Sequence, residues 1–273
     1  MPRLDLRRVR WLAELLRLRL HLHPRPEMNE ASSYDSIELA FAEPATSLAM
    51  ANLATEDRER LRLFWLGRAT GELTTALSFE YMLQDLQSLG APQALTRLAE
   101  HAIADEHRHV DWCLRFARLL GDGQSVQAEL AGTRPLTFDG ASETDQRLLR
   151  TVFGGCFSET VAVHVLLSSQ AQLQLASVQQ LNRQHVREEV QHARLGWGLL
   201  AWPGLGQRDR AMLSEFVPEM ARLTWQVWCG SGRDAEPALH ALGYLSLSLV
   251  RTACQDAFDR VIYPGLSRNG VEV

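Results

Sequence analysis

The sequence predicts an all-α protein, and three observations carry that expectation. Apolar residues recur at helical spacing over long stretches. Glycine and proline fall mainly between those stretches. Alternating, β-branched runs of the kind that mark strands are weak throughout, and neither a solenoid-type repeat nor a low-complexity run interrupts the pattern.

The opening stretch MPRLDLRRVRWLAELLRLRLHLHP is basic and rich in leucine. It lacks the smooth apolar centre and small-residue cleavage site of a secretory leader. An amphipathic helix packed on the main bundle is expected, with an anionic membrane surface or a subunit contact as alternatives. Residues 24–46 read as irregular because Pro24, Pro26 and Pro44 fall there. A first long helix is expected from about 55 to 89, closed by Gly90-Ala91-Pro92. A second runs from about 92 to 120 and stops at Gly121-Asp122-Gly123. A polar loop with Gly132, Pro135 and Gly140 follows. The third helix is expected from about 142 to 172 with Ser142 as its N-cap, and the fourth from about 176 to 201, ending before Pro203. Two further helices are expected near 207–229 and 234–262. The chain is expected to form one domain: a partly helical extension over 1–46, a four-helix core over 47–203, and C-terminal helices over 204–273 packed on that core.

Composition narrows the classes. The chain has 273 residues, 46% hydrophobic and 22% charged, ordinary for a globular protein. Its net charge of −5 speaks against nucleic acid as the main partner. Every basic residue is arginine. Cys113, Cys156, Cys229 and Cys254 show no C-x-x-C spacing, so reduced thiols and a cytoplasmic location are expected. No uninterrupted apolar run approaches about 18 residues, so stable membrane insertion is not expected.

The chemistry lies in an internal echo. The second helix contains Asp105-Glu106-His107-Arg108-His109, and the fourth contains Glu188-Glu189-Val190-Gln191-His192. Each is an acid followed by Glu-x-x-His. Glu72 precedes Glu106 by 34 residues, and Glu159 precedes Glu189 by 30. At 1.5 Å per residue, a hairpin of that length has arms of about 25 Å, which sets each pair of carboxylates at one level. Glu72 shares a stripe with Trp65, Ala69, Ala76 and Phe79, while Glu159 shares one with Val152, Gly155, Cys156, Ala162 and Val163. On the fourth helix His185, Glu189 and His192 fall at about 0°, 40° and −20°, a single narrow stripe. Buried carboxylates cost several kcal/mol each unless something compensates them. Four at matched levels beside three imidazoles call for a cation.

One Glu from each of two helices and Glu-x-x-His from each of the other two is the layout of the di-metal carboxylate bundles. Over about residues 55 to 200 the sequence resembles the ferritin-like di-iron family, which implies a ferritin-like four-helix bundle with additional N- and C-terminal helices. Within it, the third histidine one turn before the second Glu-x-x-His resembles the 4-aminobenzoate N-oxygenase type. The resemblance implies Glu72, Glu106, His109, Glu159, His185, Glu189 and His192 as ligands of two Fe ions. It further implies that Asp105 accepts a hydrogen bond from His192, that Glu188 holds His109, and that Arg108 belongs to the same outer layer. The sequence departs from symmetry at Gln191, where a counterpart of Arg108 would stand.

Glu80 is an alternative ligand on the first helix. His101, His107 and His164 fall off the inferred stripes and are expected to be surface or structural. Phe79, Cys156 and Val163 are candidates for a substrate pocket, together with Phe116, Phe153, Phe157 and Trp197 as aromatic lining. Gly154, Gly155, Cys156 and Ala162 are expected to leave space beside the metals. The activity implied is an O2-activating non-haem di-iron oxygenase that N-oxygenates a small amine or arylamine through a peroxo di-iron intermediate. C-hydroxylation, or ferroxidase and iron handling, are the alternatives, with Mn/Fe in place of Fe/Fe also open. No flavin, haem or iron–sulfur motif is present, so an external electron donor is expected, and a homodimer is possible.

Overall fold

In the computed structural model, which describes residues 44–121, 134–230, 234 and 237–273, the chain is an all-α helical bundle with no strand among those residues. The expected N-terminal amphipathic helix, the irregular stretch up to residue 43 and the loop glycine Gly132 lie outside the described residues. A short helix α1 (Pro44–Ala51) leads into α2 (Thr55–Ser88). Glu56 and Asp57 sit in the first turn of α2, where the helix dipole favours negative charge. The helix ends where Gly90 takes φ 65°, with Ala91 N–H donating back to Leu86 O at 2.9 Å. Pro92 then sits at the N-cap of α3 (Gln93–Leu120), which packs along α2 as a hairpin.

The third expected helix is real but not regular. It is α4 (Glu143–Val152), a π-helical turn over Phe153–Ser158, and α5 (Glu159–Ser169). Ser142 caps it as expected, its Oγ accepting from Asp145 N–H at 3.3 Å. The π turn inserts extra chain directly before Glu159, a departure from helical phase that periodicity alone does not reveal. It also explains why Thr160 Oγ1 donates to the carbonyl of Gly155, five residues back, at 3.4 Å. The fourth helix is α6 (Ala176–Leu200), followed by α7 (Gln207–Cys229). The last expected helix is broken. A five-residue helix α8 (Pro237–Ala241) ends at Gly243, whose φ of 96° no helix interior accepts. Then α9 (Leu247–Ala257) starts at its Ser246 cap and continues through a second π turn (Phe258–Ile262) into α10 (Tyr263–Arg268).

Two large apolar clusters and a small one, Val163 with Val190, build the core among the described residues. The larger holds Phe79, Met82, Leu86, Leu95, Leu149, Phe157, Leu195 and Leu199, and extends over α7, α9 and α10, so the C-terminal helices share one core with the bundle. The smaller holds Leu61, Trp65, Trp112, Phe116, Val178 and Leu181. Along α2, α3 and α6 the same order recurs: one cluster, then a band of acids and histidines, then the other cluster. The span Glu143–Ser169 is long and apolar enough to cross a membrane by length and composition alone, and 72% of its most apolar window is buried inside the bundle. It packs there mainly on α6 and α9, with α2 and α7 against its first half.

Helix α6 meets the π turn at glycine against glycine. A Cβ on Gly155 would lie 2.4 Å from the Gly196 nitrogen, and one on Gly154 would lie 2.8 Å from the sulfur of Met82. These glycines therefore admit close helix packing and do not leave the space beside the metals that was expected of them. Gly155→Ala is expected to lower unfolding free energy by about 3 kcal/mol, because backbone cannot yield to the added methyl. Gly71→Ala, on α2 with nothing within 4 Å of its Cβ position, is expected to raise it by about 0.5–1 kcal/mol. Denaturant titration of the two variants checks both signs.

Candidate metal centre

The band between the two clusters brings all seven sequence-derived ligand candidates together. Helix α2 presents Glu72, α3 presents Glu106 and His109, the first residue of α5 is Glu159, and α6 presents His185, Glu189 and His192. Glu106 and His109 are fully buried; Glu159, His185, Glu189 and His192 are nearly so. Glu72 is the most open, with 14% of its side chain exposed. The groups form two overlapping sets, Glu72–His109–His185–Glu189 and Glu106–Glu159–Glu189–His192, whose ligand atoms within each set lie within 4.8 Å of one another. Glu189 belongs to both sets, one oxygen toward each: Oε1 is 2.7 Å from His185 Nε2, and Oε2 is 3.1 Å from His192 Nδ1. Glu106 likewise reaches both ways, with Oε2 3.2 Å from His109 Nδ1 and Oε1 3.0 Å from His192 Nδ1.

An outer layer holds the imidazoles. His109 Nε2 lies 2.8 Å from Glu188 Oε2, and His192 Nε2 lies 3.3 Å from Asp105 Oδ2. Carboxylates accept, so the hydrogen sits on these outer nitrogens and Nδ1 is left facing the cluster. Arg108 donates to both acids, to Glu188 Oε1 at 2.9 Å and to Asp105 Oδ1. That reach explains the departure at Gln191, which takes a hydrogen bond from Arg194 instead. One guanidinium serves both halves, and Gln184 adds a second donor to Glu188 at 2.7 Å.

Electrostatics show what the protein does with this charge by itself. Burial opposes charge on His109, but Glu106, Glu188 and Glu189 outweigh it and hold the imidazolium up to about 10. Burial likewise opposes His192, and Glu189, Asp105 and Glu106 push it well above the usual histidine range. Burial, then the charge of Glu189, pushes Glu159 well up, so that carboxyl keeps its proton. His185 is pushed down, by burial and by the neighbouring charge of His109. Protons therefore stand where cations would. One atom is poorly served by that solution: Glu106 Oε1 is buried, and its neighbour His192 Nδ1, at 3.0 Å, does not meet it with hydrogen-bond geometry. Four carboxylates, three imidazoles and an orphaned carboxylate oxygen fit a metal, and the cluster could hold one or more ions.

Not every expected residue takes part. Glu80 is exposed on the outside of α2 and is no ligand. His101 and His107 are exposed, and His164 is a structural histidine bonded to Thr160 O at 2.9 Å. Phe79 packs edge-on to His192, with ring centroids 5.1 Å apart, and Cys156 and Val163 are filled core. None of these three lines the cavity beside the cluster. Phe153 and Phe157 pack in the larger core, Phe116 stacks on Trp65, and Trp197 donates to Thr160. The cavity, ≈ 20 Å³ and so sized for about one water, lies on the other side, among Trp65, Arg68, Trp112, Cys113, Asn182 and His185. Arg68 and Trp112 were missed. The available signals were spacing: Arg68 precedes Glu72 by one turn, and Trp112 follows His109 by three residues.

No protein-family model, curated protein or solved structure matches the chain.

Two predictions follow the charges. Because His109, His192 and Glu159 are all raised, the folded metal-free protein binds more protons than the unfolded chain. The His109 contribution is full below the ordinary value of 6.5 and is lost as pH rises through about 10. The melting temperature of metal-free protein is therefore expected to fall between those limits, and a bound divalent ion to flatten the slope; scanning fluorimetry checks this. Glu188→Gln, which weakens the acceptor for His109 Nε2–H, is expected to lower metal affinity about 10–100-fold with the fold intact, read by chelator competition.

Proposed function

We propose that this chain is an O2-activating non-haem di-iron oxygenase of the ferritin-like kind, oxygenating the nitrogen of a small amine. The observation that carries the proposal is the pair of four-residue ligand sets sharing Glu189, one of them with the additional imidazole of His185. The donor set of imidazole and carboxylate suits iron and excludes thiolate-selective ions. Glu72, Glu106, His109, Glu159, His185, Glu189 and His192 would hold two iron ions, which would supply the redox chemistry for O2 activation, with electrons from an external donor.

The chain's own residues set the conditions. Asp105 and Glu188, tied by Arg108, fix which nitrogen of His192 and His109 faces inward. Glu189 belongs to both ligand sets, and Glu106 faces His109 and His192 with its two oxygens, so both carboxylates stand between the two candidate ion positions. The apolar clusters above and below exclude water. Trp65 and Trp112 give the neighbouring cavity aromatic faces suited to an aryl ring. At its present size an amine enters only by displacing those side chains.

The test is anaerobic loading with Fe(II), then O2 and a chemical reductant with a panel of aromatic and aliphatic amines. About two irons per chain and products carrying oxygen from labelled O2 are expected. Glu189→Ala is expected to lose both ions and all product. Excess Fe(II) oxidised and retained as a mineral, with no amine product, would establish iron handling instead. A His185→Ala variant with unchanged metal content and oxygen chemistry would remove the basis for N-oxygenation.

A further inference from the structure

His185 is wired oppositely to the other two imidazoles. The outer nitrogens of His109 and His192 face carboxylates, which accept hydrogen. The outer nitrogen of His185, Nδ1, faces NH2 of Arg68 at 3.3 Å. A guanidinium donates and never accepts, so Nδ1 must accept. The ring hydrogen then sits on Nε2, which donates to Glu189 Oε1 at 2.7 Å. A nitrogen carrying hydrogen has no lone pair for a cation. The same Arg68 NH2 donates to Glu72 Oε1 at 2.9 Å. One guanidinium thus occupies two of the four ligands of the Glu72–His109–His185–Glu189 set. Glu106, Glu159, Glu189 and His192 receive no arginine hydrogen bond among the described residues.

We propose that Arg68 is a positioning residue that makes the two ion positions unequal. The Glu106–Glu159–Glu189–His192 position fills first. The Glu72–His109–His185–Glu189 position fills only when Arg68 releases Glu72 and His185. This rests on the metal-centre assignment above and adds an order to it. Two physical effects act together. The guanidinium supplies positive charge where the second ion would sit and repels that ion. It also fixes His185 as the tautomer that cannot ligate; once it leaves, the hydrogen moves to Nδ1 and Nε2 is free. The way out lies beside it: Arg68 borders the ≈ 20 Å³ cavity, its guanidinium already lies 5.4 Å from the Trp65 ring, and moving farther displaces the side chains that line the cavity.

The experiment is an anaerobic titration of the metal-free full chain with Co(II), followed by calorimetry and visible absorption. Wild type is expected to bind two ions in separate steps, the second about tenfold or more weaker. R68Q offers an amide oxygen that accepts Nδ1–H and carries no charge. It is expected to tighten the second step about tenfold while leaving the first unchanged, an effect of the size outer partners have on metal sites. In R68Q/H185A that gain is expected to vanish, which a merely structural role for Arg68 would not produce. R68M, which keeps the stem and removes every donor, serves if R68Q does not fold. Equal steps in wild type, or an unchanged second step in folded R68Q or R68M, overturn the role of Arg68 alone. A wild-type chain that binds no Co(II) overturns the metal centre with it.

Discussion

Burying charge without leaving it unpaired is the constraint on which this structure depends. Seven acidic and imidazole ligand candidates, with Asp105 and Glu188 behind them, occupy one band inside the bundle. Removing such groups from water costs several kcal/mol apiece, and the band persists because each group faces a partner of opposite need. The apolar clusters on either side supply the burial free energy that offsets this cost, and they fix the distance between helices to which the polar groups must conform. The same partners that settle the charge also orient the imidazoles, so stability and readiness for a cation share one set of hydrogen bonds.

The three imidazoles illustrate how an outer partner determines an inner role. His109 and His192 are backed by carboxylates, which leave Nδ1 as the nitrogen a cation would take once its proton is displaced; His185 is backed by Arg68 and turns an Nε2 hydrogen toward the cluster. Identical side chains in one buried band are thereby made chemically distinct by what stands one layer farther out. The asymmetry has its source in one helical hairpin: Arg108 on α3 serves both outer acids, and Arg68 on α2 serves Glu72 and His185.

Much of the centre was legible in the chain itself. Glu-x-x-His at 106–109 and 189–192, each with a carboxylate about thirty residues upstream, places four acids at one level because helix rise is fixed and the intervening turns at Gly90 and 170–175 are short. The i, i+4, i+7 stripe of His185, Glu189 and His192 follows from helix twist alone. What misled was phase and volume. The π turn at Phe153–Ser158 breaks the periodicity just before Glu159, and Gly154 and Gly155 look like open space in a one-dimensional pattern although Met82 and Gly196 occupy it.

Local rules, helix geometry and the energetic penalty of a lone buried carboxylate determined from sequence which residues turn inward and that they gather at one level. Only the folded molecule decided where empty volume lies, that Glu80 stays in water, and that Arg68 reaches His185 across 117 positions of chain. Contacts between distant helices depend on how ridges and glycines interlock, and no spacing within a single helix records that.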